Sequence, residues 1–334
     1  MILVRAPLRI SFMGGGTDLP NYYRVSPGRV ISTSINQHVY LAIHRTQFID
    51  KIMVKYSTTE IVNSLHELKH DRVREGLLSL HIENNIEIGS FASIPMRIGL
   101  GSSSSFTVAL IKGLHALLGK ELNNRSVAEA ACQIEIDRLQ EPIGKQDQYA
   151  SAFGGLNILE FGSDESVVVK PVDLTASQRS KFEKCLLLFF TGMTRDASSV
   201  LRTQIQDIKK HIETYTLLSQ MVQEFYTALK SENIETAGYI LHKSWELKKS
   251  LSSNISNNII DDFYSIGLSS GAWGGKIVGA GGGGCVLFMA PEETHDAIRK
   301  SLHVFATINQ LLDYKEIPVE FEDKGVEIVF NALT

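Results

Sequence analysis

The chain has 334 residues, 43% of them hydrophobic and 21% charged, with a formal net charge of −4. That composition belongs to a globular protein with ample core, and the length suggests two domains. The slight negative charge excludes a binder of polyanions over the whole surface, and no apolar run reaches the roughly 18 residues of a membrane span.

Residues 1–12 alternate and are rich in β-branched side chains, which predicts a strand, and 13–18 (M-G-G-G-T-D) read as a tight glycine turn. Strands are expected at 30–44, 52–56 and 86–94, with a charged helical stretch over 58–84. Helices follow at 103–118 and 126–140, the second with a Ser126/Glu129 capping box, and then a loop over 141–149. Strands are predicted at 156–161, 167–172 and 185–190. Helices are predicted at 197–230, 234–251 and 258–270, strand–glycine loop–strand at 274–290, a helix at 292–310 and a last strand at 326–330. This mixed order predicts an α+β layered fold. The first residues are too interrupted for a signal-peptide core, and Cys132, Cys185 and Cys285 form no paired motif. Both observations point to a reducing cytoplasm.

The most informative segment is 95–105, P-M-R-I-G-L-G-S-S-S-S, followed directly by an apolar helical run. Gly99 and Gly101 allow a tight turn and close approach to a ligand. Serines at a helix start add hydroxyls and unpaired N–H donors at the positive end of the helix dipole, the ingredients of a phosphate cradle. The plain alternative is a Gly/Ser loop with a serine cap.

Three patterns are decoys. H-E-L-K-H at 66–70 has metalloprotease spacing but sits among Lys69, Asp71, Arg72, Arg74 and Glu75, a solvated face. G-A-G-G-G-G at 279–284 matches a dinucleotide fingerprint, yet strand rather than helix follows it. Residues 113–120 miss the Walker A spacing by one.

Glu135 falls on the apolar stripe of the 126–140 helix. A carboxylate there needs compensation, by a metal ion or by reaching water at the stripe's edge. Asp147, in I-G-K-Q-D-Q, is either a turn residue or the carboxylate that phosphoryl transfer to an alcohol needs to orient or deprotonate the hydroxyl.

Taken together, A-P-L-R-I-S-F-M-G-G-G-T-D (6–18), the 95–105 loop and K-I-V-G-A-G-G-G-G-C-V-L-F (276–288) resemble, in order and spacing, the three motifs of the GHMP kinases. This superfamily groups galactokinase, homoserine kinase, mevalonate kinase and phosphomevalonate kinase. G-G-G-T-D in place of galactokinase's G-E-H-T-D, together with Q-D-Q-Y-A-S-A-F-G-G-L-N and W-E-L-K-K-S-L-S-S-N-I-S, resembles the branch that phosphorylates heptose 7-phosphates at the anomeric hydroxyl.

The resemblance implies a two-domain fold: residues 1–180 like the second domain of ribosomal protein S5, and 181–334 ferredoxin-like, with the last strand able to return to the first domain. ATP would lie on Pro95, Gly99, Leu100, Gly101, Ser102, Ser103, Ser104 and Ser105. Mg²⁺ would be held by Ser103 and Glu135, Asp147 would be the catalytic carboxylate, and Arg9 its cationic neighbour. Gly15, Gly16, Thr17, Asp18, Asp147, Gly281, Gly282 and Gly283 would meet the sugar. Gly15 and Gly16 replace side chains that contact galactose, which opens room for a larger or phosphorylated sugar. Arg29, Lys145, Arg195 and Lys248 are the candidates to bind its 7-phosphate. The implied partners are ATP and a sugar phosphate, with no nucleic acid or membrane, and the protein would be a monomer or homodimer. Another sugar 1-kinase of the superfamily (for a fucose-like, uronic or amino sugar) and a non-catalytic ATP/sugar sensor are the rival readings.

Overall fold

The structure is a computed structural model and describes residues 1–92, 94–194 and 197–332, without the side chain of residue 197. In chain order the first half contains β1 (Ile2–Met13), α1 (Pro20–Tyr23), β2 (Gly28–Arg45), β3 (Ile52–Lys55), β4 (Thr59–Val62), α2 (Asp71–Ser79) and β5 (Ile86–Ala92). It continues with α3 (Ser102–Leu117), α4 (Asn124–Cys132), a π-helical segment Gln133–Arg138, α5 (Gln146–Phe153), β6 (Leu156–Phe161) and β7 (Val167–Pro171). The second half contains α6 (Ala176–Lys184), β8 (Leu186–Phe190), α7 (Ala197–Asp207), α8 (Ile212–Lys230), α9 (Ile234–Lys249), α10 (Asn258–Ser269), β9 (Gly274–Ile277) and β10 (Cys285–Met289). It ends with α11 (His295–Ile308), β11 (Lys315–Ile317) and β12 (Glu327–Asn331).

Eight strands form the first sheet, in the order β12-β1-β2-β5-β3-β4, with β6 and β7 branching from β2. The branch is possible because β2 runs for 18 residues: one edge pairs with β1, while residues 39–45 of the other take β5 and residues 28–33 take β6. β12 pairs antiparallel with β1, so the last strand does return to the first sheet.

The second sheet has the order β11-β8-β10-β9, all antiparallel. Its chain order of strand, helices, two strands, helix, strand is the split β-α-β motif of a ferredoxin-like unit. Strand side chains alternate between faces, and this sheet uses both. Leu186, Leu188, Phe190, Cys285, Leu287 and Met289 join the core that contains β1, whereas Leu187, Phe189, Val286 and Phe288 join a second core with α10 and α11. The second sheet is therefore a wall shared by two cores.

Several expectations are corrected. Residues 58–84 are not one helical stretch but β4, a short 3₁₀ turn (Leu65–Glu67) and α2, because Ser64 and His70 each cap a new start. The Ser126/Glu129 capping box does not form: Asn123 caps α4 and accepts from Ser126 N–H at 2.9 Å. The 141–149 loop is cut short by α5, and 197–230 is interrupted at a 3₁₀ turn, Ile208–His211. α1, α6 and β11 were not anticipated, although Thr175 and Gln178 form a reciprocal capping box at the head of α6.

The 95–105 loop and the third glycine loop meet backbone to backbone. Gly99 has φ +91°, and a Cβ there would lie 2.3 Å from the Val278 carbonyl oxygen. Gly99→Ala therefore combines left-handed strain with a collision and should destabilise the fold by about 1–3 kcal/mol, measured as a lower denaturation midpoint; an unchanged midpoint would refute the contact.

Candidate active site

Alternation along β1 builds one wall of a cleft of about 380 Å³. Leu8, Ile10 and Phe12 enter the core, so Arg9 and Ser11 between them face the cleft. The opposite walls come from the serine loop, the start of α5, Lys248 of α9 and Lys276 of β9.

Arg9 ties these parts together. Its Nε and Nη2 donate to the two oxygens of Asp147 at 2.7 and 2.9 Å, and its Nη1 donates to the Gly99 carbonyl at 2.6 Å. Such a bidentate, charge-assisted pair fixes both partners in one geometry. Arg9 is 4% exposed, whereas a quarter of the Asp147 side chain faces solvent. A Cβ on Gly101 would touch both the Arg9 stem and the Asp147 carboxylate at 3.3–3.4 Å. Glycine at that position, with φ +74°, lets α3 begin directly against the pair. Ser102, Ser103 and Ser104 line the cleft in the first turn, where a helix has N–H groups without intrahelical partners.

Asp18 sits beside Asp147 and accepts from Gly16 N–H (3.1 Å), Gln146 N–H (3.2 Å) and the Gln146 side-chain amide (2.9 Å). Burial, reinforced by the Asp147 charge, raises its pKa. Gly144 leaves room for this carboxylate: a Cβ there would fall 2.0 Å from Asp18 Oδ2. Ser11 Oγ and Gln146 Oε1 are buried without a hydrogen-bond partner among the described residues, and both residues line the cleft. Unspent polar atoms at this place suit a polyhydroxylated ligand.

Glu135 lies in the π-helical segment, a distortion common at functional sites. It is 0% exposed, which excludes the reading that it reaches water. Its Oε1 accepts from Arg72 Nε (2.9 Å) and Thr107 Oγ1 (2.8 Å), and its Oε2 from Ser104 Oγ (2.8 Å) and Gln148 Nε2 (2.5 Å). Arg72 also pairs with Glu141 at 2.6 Å. A carboxylate offers about four lone-pair directions, and here all four are taken. Ser104, not Ser103, is the serine that reaches it. The residues present do not fit a Mg²⁺ bridged by Ser103 and Glu135; Ser103 alone of that pair faces the cleft. Arg72, read from sequence as part of a solvated face, is instead part of the cleft wall.

The other expected contacts are distributed unevenly. Thr17 is buried, and its hydroxyl donates to the carbonyls of Gly14 and Arg29, closing the glycine turn. Ser105 is buried on the Pro7 carbonyl, Leu100 is in the core, and Pro95 is exposed. Gly15 and Gly16 line the cleft. In the third loop it is Gly279 and Ala280 that face the cleft, while Gly281 and Gly282 pack on Ile255. Of the four phosphate-binding candidates, Arg29 pairs with Glu160 and Lys145 with Glu165, away from the cleft. Arg195 lies outside the described residues, and Lys248 lines the cleft.

Sequence reasoning missed Arg72, Arg97, Glu141, Lys276 and Ser11, all of which line the cleft. Arg97 and Lys276 stood inside recognised motifs and could have been found there; Arg72 carried no local signal.

Residues 58–155 match the GHMP kinases N terminal domain and residues 225–304 the GHMP kinases C terminal. The chain belongs to the GHMP kinase family. Campylobacter jejuni D-glycero-alpha-D-manno-heptose 7-phosphate kinase is 29% identical over 315 residues, covering 89% of this chain and 92% of that protein. The Arabidopsis thaliana bifunctional fucokinase/GDP-fucose pyrophosphorylase is 24% identical over 316 residues, 86% of this chain but 30% of that longer protein. A solved D-glycero-D-manno-heptose 1-phosphate kinase from Bacteroides thetaiotaomicron shares the fold, with a TM-score of 0.80, 23% identity and 99% of each chain covered. The protein accordingly has the two-domain GHMP kinase fold and is an ATP-dependent phosphotransferase with an alcohol group as acceptor. Among the described residues no helix is long and apolar enough to cross a membrane.

Glu135→Ala would leave Arg72 facing only Glu141, orphan the Ser104 hydroxyl and the Gln148 side-chain N–H, and leave Thr107 only its longer bond to the Ser103 carbonyl. A loss of about 3 kcal/mol in unfolding free energy is expected, read by denaturant titration without nucleotide or metal. Wild-type stability would show that the carboxylate is not a structural anchor.

Proposed function

We propose that the chain is a sugar kinase that transfers the γ-phosphoryl of ATP to the anomeric hydroxyl of D-glycero-D-manno-heptose 7-phosphate, giving the 1,7-bisphosphate. The observation that carries the chemistry is the Arg9–Asp147 pair at the mouth of the serine loop. The triphosphate of ATP lies against the first turn of α3, where Ser103 faces the cleft. Asp147 orients the acceptor hydroxyl and takes its proton. The anomeric oxygen forms the new O–P bond while the bond from γ-phosphorus to the bridging oxygen breaks, and ADP leaves with that electron pair. Arg9, held by Asp147 and Gly99, keeps the carboxylate in place and adds positive charge beside the transferring group. Positioning and electrostatics supply the catalysis, with no covalent enzyme intermediate.

The heptose assignment draws support from the 29% identity to a heptose 7-phosphate kinase over nearly the whole chain, and from the room at Gly15; the space beside Gly16 is taken by the Tyr215 ring. The weaker likeness to a fucokinase supports the second reading, a kinase for an unphosphorylated sugar. A coupled ADP-release assay with heptose 7-phosphate, unphosphorylated heptose, fucose, and uronic and amino sugars should single out heptose 7-phosphate. Preference for a free sugar would favour the second reading, and no acceptor-dependent ADP release would leave a nucleotide and sugar sensor. Asp147→Asn should lower kcat by at least about 10²-fold with little change in ATP affinity; turnover near wild type would remove Asp147 from the reaction.

A further inference from the structure

Lys248 is 6% exposed on α9, yet it lines the cleft. An ammonium has three N–H donors, and among the described residues the one hydrogen bond given by Nζ goes to the Gly279 carbonyl, at 2.5 Å. It forms no ion pair with a carboxylate among the described residues, unlike Arg29 and Lys145. Asp18, whose charge it feels, is already held by three N–H donors. A second buried lysine, Lys276, whose pKa burial and the neighbouring Lys248 and Arg9 push well down, donates to the carbonyls of Ser11 and Phe12 at 3.0 and 3.1 Å. Arg9, Lys248 and Lys276 thus line a cleft whose carboxylates, Asp18, Asp147 and Glu141, already accept from N–H donors. Burying a cation without a counter-charge is costly, so the site calls for an anionic ligand.

The position of that anion is set by Gly15. A Cβ at Gly15 would be 3.7 Å from Lys248 Nζ and 4.0 Å from the unpartnered Ser11 Oγ. An acidic side chain at this position would take the ammonium for itself. Glycine leaves the ammonium and the hydroxyl pointing at one unfilled place. That place is on the acceptor side, next to the turn that carries Asp18.

We propose that Lys248 is the specificity-determining residue of this kinase, binding the phosphate that the acceptor already carries, with Ser11 Oγ as a second donor. The inference rests on the phosphorylated-sugar reading above. A phosphate could also come from ATP, and the experiment separates the two sources.

In Lys248→Met the KM for heptose 7-phosphate should rise at least about 30-fold, while the KM for ATP stays within about three-fold. The preference for the phosphorylated over the unphosphorylated heptose should collapse, and Lys248→Arg should restore part of it. The Met variant removes a buried charge, so it should melt no lower than wild type. Burial lowers the Lys248 pKa to about 8; Asp18 and Asp147 raise it and Arg9 lowers it. The deprotonated amine cannot hold an anion, so wild-type kcat/KM for the sugar phosphate should fall as pH rises through about 8. That limb should be missing in Lys248→Met.

Inorganic phosphate gives a readout independent of the sugar. It should compete with whichever acceptor wild type uses, and not in the Met variant. If wild type turns over only free sugars, the heptose reading fails, and this competition alone decides the role of Lys248. Retained preference for the 7-phosphate, a raised KM for ATP in place of the acceptor's, or no phosphate competition in wild type would each overturn the inference.

Discussion

The guanidinium of Arg9 is the joint on which the site depends. It reaches three segments distant in sequence: its own strand β1, the bend at Gly99 and the first turn of α5 at Asp147. Its planar fork satisfies both carboxylate oxygens and one carbonyl at once, which a lysine could not do in the same geometry. The site geometry follows from this. Asp147 is held facing the head of α3, Gly101 must lack a side chain, and the serines of the first turn are presented toward whatever Asp147 will touch. A phosphoryl donor and an alcohol acceptor meeting here would find the charge arrangement already made, without reorganisation at the moment of transfer.

Glycine contacts and a shared wall hold the two halves around that joint. Because β8 and β10 send alternate side chains into two cores, the second sheet cannot shift without disturbing the hydrophobic packing against β1. Near the cleft the contact changes character: Gly99 and Gly284 lie against backbone atoms of the opposite loop, where any Cβ would collide. Close backbone approach brings Lys248 and Lys276 to within reach of the β1 end. The chain tolerates these buried lysines because carbonyl oxygens accept from them.

Much of this was legible in the residues. The three motifs and their order announced the family, and the long periodic segments located β1, β2, α3 and three strands of the second sheet, β8, β9 and β10, to within a few residues. What escaped was set by contacts far apart in sequence. Glu135 was visible as a carboxylate on an apolar stripe, but its four donors come from residues 72, 104, 107 and 148, and no local pattern names them. Arg72 looked like one more charge on a solvated helix because the partner that draws it inward lies 63 positions on. Asn123 displaced the Ser126 cap by offering an equally good acceptor one turn earlier. β11 is three residues long, too short for alternation to register. Among the phosphate-binding candidates, the carboxylate partners of Arg29 and Lys145 set them apart from Lys248, a distinction that three-dimensional proximity alone supplies.

The pairing of β12 with β1 joins residues near the two ends of the sequence, Ile2 with Asn331 among them. A ribosome delivers β1 long before β12, so until β12 is made the edge of β1 that it covers has hydrogen-bonding groups awaiting their partner strand. Such an open edge invites pairing with a neighbouring nascent chain. The sheet that carries Arg9 thus completes this border only when β12 docks, which makes the interval between the synthesis of β1 and that of β12 the vulnerable one.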